Sequence, residues 1–583
     1  MVELPFFMSK NSLIPFGTMN QTNPAIVSQQ AVQQLPRWLL FILCGIYILA
    51  GFIGREPWKA VDINAFGFML NLATGQTDWL RPEILGQAPE VDGLIPYNAG
   101  ALFIYLFGQW LTPALASRLP FMLMMTLAFT CTWYAVYYLA RSPQAQPIAF
   151  AFGGEAKPKD YARALADASV LAFVSCLGLA QPSHEITPMV FQLGFFAMAF
   201  SGACMMPFRP IRSFAASSIA IIGLSLSGAP TIACVIGLWT WVTTRLDREV
   251  RSKTTSTWFL IVLAFTVACI FSLDLFRWRI ATPDNLISLR NWFRLLIWFT
   301  WPVWPLCVLA LWRWRSAWNL KQVVRHLQVP LMFSLIGIVS AWLTWSTDRT
   351  LILALPCMSA LAVFALPTLN RSVLALIDWF TLLFFSSCAF VIWVVWLAAV
   401  TGWPAQPAAN VARLLPGFQT QFDGITFLIA LMWTICWIGL VHWRVGRHRY
   451  AIWKSLALPA GGAALCWVLL TTLWLPLLDF ARSYKPLISN VSRVVPNDAC
   501  VYVYGLSSGQ LAGFQYHGAY QLLVLNPKEK QTSCDWLIVD ADALSQAALR
   551  NQMDDWSMPQ KFRRPSDDNE DVIVFQRKIY KSE

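Results

Sequence analysis

The sequence predicts a polytopic, all-α membrane protein with a small α/β domain at its C-terminal end, and three observations lead there. Of the 583 residues 57% are hydrophobic and only 13% charged, whereas soluble domains carry about 25% charged residues. Apolar runs of about 20 residues, long enough to cross a bilayer, recur along most of the chain. Many of the 30 tryptophans sit beside arginines or at the ends of those runs, as in "FRWR", "LWRWRSAW" and "VHWRVGRHRY", where an amphipathic indole sits at the headgroup level. The net charge of +12 therefore reads as loop charge that sets orientation and meets anionic lipid, with no nucleic-acid partner.

The elements follow in order. Segment 1–37 lacks the basic start, short apolar core and small-residue cleavage site of a removable signal peptide. Spans are expected at 38–54, 119–140, 164–180, 186–206, 214–227, 231–244, 258–273, 293–312, 330–345, 351–369, 373–400, 425–443 and 452–477, about thirteen in all. Between the first two lies a long loop, 55–118. It holds "AGALFIYLFGQWL", about 13 apolar residues and too short to span, and an amphipathic stretch at 65–73, so both are expected as helices at the interface. With an odd number of spans the termini face opposite sides. Placing the N-terminus in the cytoplasm puts 21 Lys and Arg inside against 10 outside, four of those in the long loop, and short positive loops stay inside. In a bacterium this makes an inner-membrane protein whose first loop and C-terminal tail face the periplasm.

The tail, 479–583, reads as its own domain. "ACVYVYG" alternates like a strand, "YQLLVLN" and "CDWLIVDA" look like buried strands, "ALSQAALRNQM" is helical and "DVIVFQRKI" is a final strand. Of the 13 cysteines, eleven lie in apolar runs as small hydrophobes. The other two, Cys500 and Cys534, pair if the tail occupies an oxidising compartment.

Motifs of soluble enzymes are missing: no phosphate-cradling Gly-rich loop, no paired CxxC, no HExxH. "HEITP" at His184 stops short of the last, and "DAD" at Asp540 is a strand end followed by a helix cap. What remains is a one-sided set of ionisable residues on the outer face: Asp62, Glu90, Asp92, His184, Glu185, Arg277, Arg279, Arg290, Arg294, Asp348 and Arg349. Each alone is an ordinary solvated interface residue. Together, after the first span, between the third and fourth and between the ninth and tenth, they can surround one outer cavity.

The acid after the first span, the long loop behind it and the second span "ALASRLPFMLMMTLAFTCTWYAVYYLAR" resemble the C-type, polyprenyl-phosphate-sugar-dependent glycosyltransferases. The likeness is greatest to the branch of the lipid A aminoarabinose transferase and the protein O-mannosyltransferases. "GLSLSGAPTIACVIGLWTWVTTRLDRE" resembles the family's fifth and sixth spans, and "DRTLILALPCMSALAVFALP" its Arg-Tyr-Leu-Leu-Pro segment. The resemblance implies a transferase that moves a sugar from a lipid-linked phosphate donor to a lipid or glycan acceptor. It puts Asp62 in the place of the first-loop catalytic Asp, Glu185 in that of the second-loop acid, and Glu90 near a Glu that can help hold a metal. The chain departs in having no Lys after Glu90, and "SGAP" where relatives carry Lys-Gly-Pro.

On that reading Asp62 takes the acceptor proton. Arg349 leads the candidates for the donor phosphate, with Arg277, Arg279, Arg290 and Arg294 behind it, because a guanidinium fork matches a phosphate. Asp348 is the evident partner of Arg349. Glu90 and His184 are the candidate ligands of a divalent metal ion, the alternative for His184 being a hydrogen-bonded loop residue. A single attack of this kind inverts the anomeric centre. Two rivals predict other patterns: a transporter or flippase calls for charge at mid-depth and paired halves, and an O-antigen ligase carries its large outer loop late in the chain.

Overall fold

The computed structural model describes residues 24–59, 61–246, 250, 252–275, 286–317, 324–344, 347–445, 451–526, 533–545, 555–567 and 570–578. A first group of helices, α1 (Arg37–Phe52), α2 (Val61–Ala73), α3 (Ile95–Phe107), α4 (Pro113–Leu139), α5 (Pro158–Ser175) and α6 (Pro188–Met205), contributes a large share of the interior. Then come α7 (Pro210–Leu226), α8 (Pro230–Leu246), α9 (Lys253–Ser272), α10 (Leu286–Phe299), α11 (Val303–Arg313), α12 (Arg325–Trp342), α13 (Thr347–Thr350) and α14 (Leu355–Ala362). The helical part ends with α15 (Arg371–Thr401), α16 (Ala405–Leu414), α17 (Gly424–Val445), α18 (Ala457–Thr472), α19 (Leu475–Arg482) and α20 (Lys485–Val491).

Composition sorts these helices into layers. In "ALADAS" of α5 and "LPCMSALA" of α14 every residue is buried, because small side chains let backbones approach where lipid gives no hydrophobic drive. By contrast α15 and α17 leave Leu376, Trp379, Phe390, Leu428 and Ile435 exposed, a surface suited to hydrocarbon.

Among the described residues, seven helices are long and apolar enough to cross a membrane, or nine if two bent pairs each count as one. The expected thirteen is therefore not confirmed. Helix α1 is 16 residues and α7 is 17, both short of a full crossing of about 20. The expected third span breaks after α5 with a 64° bend, and the eighth divides into α10 and α11 at 86°. The first loop also differs. Helix α2 is buried against other parts of the protein from Asp62 to Met69 and again at Asn71 and Leu72.

Helix α2 is covered by α3 on one side and by the C-terminal domain on another. The five-stranded sheet of that domain, order β2-β1-β3-β5-β4, is formed by β1 (Cys500–Tyr504), β2 (Gln521–Val524), β3 (Trp536–Asp540), β4 (Trp556–Arg563) and β5 (Asp571–Arg577). Strands β2, β1 and β3 run parallel, and β5 and β4 add antiparallel. The parallel β1–β2 pair needs a crossover, and α21 (Ser508–Gly518) supplies it, started by a capping box between Ser507 and Gln510. Neither α21 nor β4 is read from the sequence, and the expected helix "ALSQAALRNQM" falls largely outside the described residues. Helix α21 lies directly on α2, where a side chain at Gly67 would overlap Ala512. Cys500 and Cys534 are disulfide-bonded, with Cα atoms 5.0 Å apart.

Candidate active site

The site begins at the end of α1. Arg118, buried in the first turns of α4, donates from Nη1 to the carbonyls of Phe52 (3.0 Å) and Arg55 (2.6 Å) and so fixes the chain as it leaves the bundle. That chain then turns back on Asp62 in the first turn of α2. Asp62 Oδ2 accepts from Arg55 Nη2 at 3.1 Å and from the Trp58 N–H at 3.0 Å, while Oδ1 accepts from the Ile186 N–H at 2.9 Å. Three of a carboxylate's roughly four acceptor positions are thus occupied, and Asp62 is only 1% exposed.

The bond to Ile186 brings the second acid alongside. Glu185 is gripped by Arg349, Nε to Oε2 at 2.6 Å and Nη2 to Oε1 at 3.3 Å, and Gln181 donates to the same Oε1 at 3.0 Å. Arg55 joins the two halves by donating also to the His184 carbonyl at 2.7 Å. Asp62, Glu185 and Arg349 therefore meet at one end of the bundle. The main partner of Arg349 is Glu185; Asp348, expected in that role, stands 3.6 Å away and half exposed.

The expected metal pair does not assemble. His184 is fully buried, its Nε2 faces the Tyr47 carbonyl at 2.9 Å, and its Nδ1 faces the Ala180 carbonyl and Ser183 Oγ. Its ring packs against Tyr47, Phe52 and Trp467 and against Gly51, where a Cβ would overlap it. No ring nitrogen is left to ligate a cation. Glu90 is exposed on the loop before α3, and among the described residues no group of three or more His, Cys, Asp and Glu side chains could hold a metal ion. Arg290 and Arg294 are exposed on α10, which packs against α13, and Arg277 and Arg279 lie outside the described residues.

Several members of the site escape sequence reasoning. Trp58 receives the Arg55 guanidinium 4.4 Å from its ring centroid and that of Arg482 at 5.0 Å. Its indole N–H donates to Asp479 Oδ1 at 2.8 Å, and the Glu56 N–H also faces that carboxylate. Burial pushes the Asp479 carboxyl up from its ordinary value to about 6, against the pull of those donors. Beyond, Lys59 pairs with Asp567 and Glu570, and Lys485 with Glu56 at 2.8 Å. The only signal for Asp479 and Arg482 was a charged turn, "LLDFARSYK", beside a span. An apolar groove of 850 Å³, lined by Phe380, Phe384, Val391 and Leu470, reaches Leu177 at the base of the turns leading to Glu185.

No family model matches the chain, and no curated protein does. Solved structures do. ArnT from Cupriavidus metallidurans bound to undecaprenyl phosphate is 13% identical and superimposes with a TM-score of 0.59 over 93% of this chain and 98% of that one. The fold is ArnT-like. The apo state of ArnT agrees, at 13% identity, a TM-score of 0.58, and 92% and 97% of the two chains. Only 7% of this chain is left out of the first superposition.

Proposed function

We propose that the chain is an integral membrane glycosyltransferase that moves a sugar from a polyprenyl-phosphate donor to a hydroxyl or phosphate of a cell-envelope acceptor, lipid A or another glycan, at the periplasmic face. The observation that carries this reading is the convergence of Asp62, Glu185 and Arg349 at one end of an ArnT-like bundle. ArnT, a lipid A aminoarabinose transferase, was crystallised with undecaprenyl phosphate. The apolar groove is shaped for part of such a lipid's tail.

In the proposed step the acceptor oxygen attacks the anomeric carbon and forms the new C–O bond. The bond from that carbon to the phosphate oxygen breaks, and its electron pair leaves with the phosphate. Asp62 takes the acceptor proton on its remaining Oδ1 position. Arg349, one-fifth exposed, turns its free N–H groups to the phosphate while Glu185 holds its plane. Attack opposite the leaving group inverts the sugar, so no glycosyl-enzyme carboxylate is needed.

The test is turnover by the purified protein with a polyprenyl-phosphate sugar and envelope extract, read as release of polyprenyl phosphate. Release that requires both extract and intact Glu185 supports the transferase. Lipid movement across vesicles without cleavage would replace it with a flippase.

A further inference from the structure

We infer that Arg482 is a second phosphate-binding guanidinium of this site, contributed by the segment that joins the bundle to the C-terminal domain. The inference rests on the transferase reading and adds a residue to its donor site.

Arg482 ends α19, and its carbonyl accepts from the Lys59 N–H at 2.6 Å, which lays it beside the segment that folds around Asp62. Its guanidinium stacks over Trp58, the ring that also receives Arg55. The other arginines already hold acceptors, Arg55 the Asp62 carboxylate and the His184 carbonyl, Arg118 two carbonyls and Arg349 Glu185; the nitrogens that Arg55 and Arg118 leave without a partner are buried. The Arg482 guanidinium has no hydrogen-bond acceptor among the described residues, although it carries five N–H donors. It is only partly exposed. Stacking on an aromatic ring orients it without consuming any of those donors.

The local charge supports an anion here. Asp62 is neutralised by Arg55 and Glu185 by Arg349, and Arg482 stands beside these pairs without a carboxylate partner among the described residues. Burial depresses its pKa, Arg55 and Arg349 push the same way, and Glu185 alone opposes them. A cation so placed gains from an incoming negative group.

The chemistry says when that gain matters most. A polyprenyl-phosphate sugar is a phosphodiester with one negative charge; the departing phosphate is a monoester whose charge approaches two at neutral pH. The extra charge appears on the oxygen that loses the sugar. Arg349 is already half-compensated by Glu185, so an uncommitted guanidinium is the group whose bond to phosphate strengthens as the old bond breaks, and such bonds lower the barrier.

The experiment measures undecaprenyl phosphate binding and single-turnover rates for the full-length protein in lipid nanodiscs, comparing wild type, Arg482→Ala, Arg482→Lys and, as a control in the sheet, Lys561→Ala. Arg482→Ala should weaken binding of the monoester by roughly tenfold to a hundredfold and lower kcat similarly, with a smaller change in donor KM. Arg482→Lys should recover part of both, and Lys561→Ala should match wild type. Undiminished binding and rate in Arg482→Ala would overturn the assignment and leave the transferase reading standing. A wild type that neither binds the lipid nor turns over would instead remove the reading beneath it. If protease sensitivity shows that Arg482→Ala has undocked the C-terminal domain, Arg482→Lys decides: partial loss supports the role, and wild-type affinity with wild-type rate refutes it.

Discussion

At Asp62, replacement by Asn would keep the volume but set an N–H₂ group against the Ile186 N–H or against the Arg55 and Trp58 donors. We expect Asp62→Asn to cost about 1–3 kcal/mol of stability as well as activity, seen as a lower Tm in detergent. Glu185→Gln likewise keeps one oxygen to accept from Arg349 and sets its N–H₂ group against the remaining donors. Arg349→Ala strands a buried carboxylate and should cost about 2 kcal/mol. Adding Glu185→Gln to it should restore part of that loss, a coupling measured by the double-mutant cycle. Asp479 makes a pH prediction. Its folded-state pKa is about 6 against an ordinary 3.8, so the folded protein binds the extra proton, and stability from this group is present at low pH and lost as pH rises through about 6. The difference in Tm between wild type and Asp479→Asn should therefore change across pH 4–6 and be flat above it. Asp62, Glu185 and Arg349 were legible because charge is scarce and one-sided in an apolar chain. Arg118 and Asp479 were not, because their partners are backbone groups or an indole that no spacing rule connects to them.

Among elements, local composition carried most of the information. Apolar runs such as the one that became α17 form helices wherever they sit, since hydrocarbon leaves the backbone no other way to satisfy itself. Whether a run crosses in one piece is decided by packing, as the bend after α5 shows, and a count read from the sequence misses such breaks. Strand β4 was missed because "WSMPQKFR" is polar at an edge of the sheet. Three element-scale outcomes follow. Arg564, 2% exposed, binds Asp567, Glu570 and the Ala481 carbonyl, so Arg564→Ala should cost about 3–5 kcal/mol and open the C-terminal domain to protease. Lys59→Ala, a partly exposed pair, should cost under about 1 kcal/mol. Removing the Cys500–Cys534 bridge, whose sequence separation is 34, should cost about 3–4 kcal/mol in the chain-entropy view.

For the molecule as a whole, the placement of Asp479, Lys485 and Asp567 around the Glu56–Lys59 segment puts the C-terminal domain at the same end as the site. If the positive-inside pattern orients the bundle, a periplasm-dependent reporter fused after residue 583 is active. A fusion active only in the cytoplasm would turn the whole site to the other face.

The indole of Trp58 and the carboxylate of Asp479 are 421 positions apart in the chain. At about 5–20 residues per second of synthesis, the segment around Asp62 waits on the order of half a minute or more for the residues that brace it. A nascent or truncated chain already inserted in the membrane thus holds its first-loop acid without the brace or Arg482. The order of translation itself leaves this corner of the fold unbraced until the chain has passed Asp479.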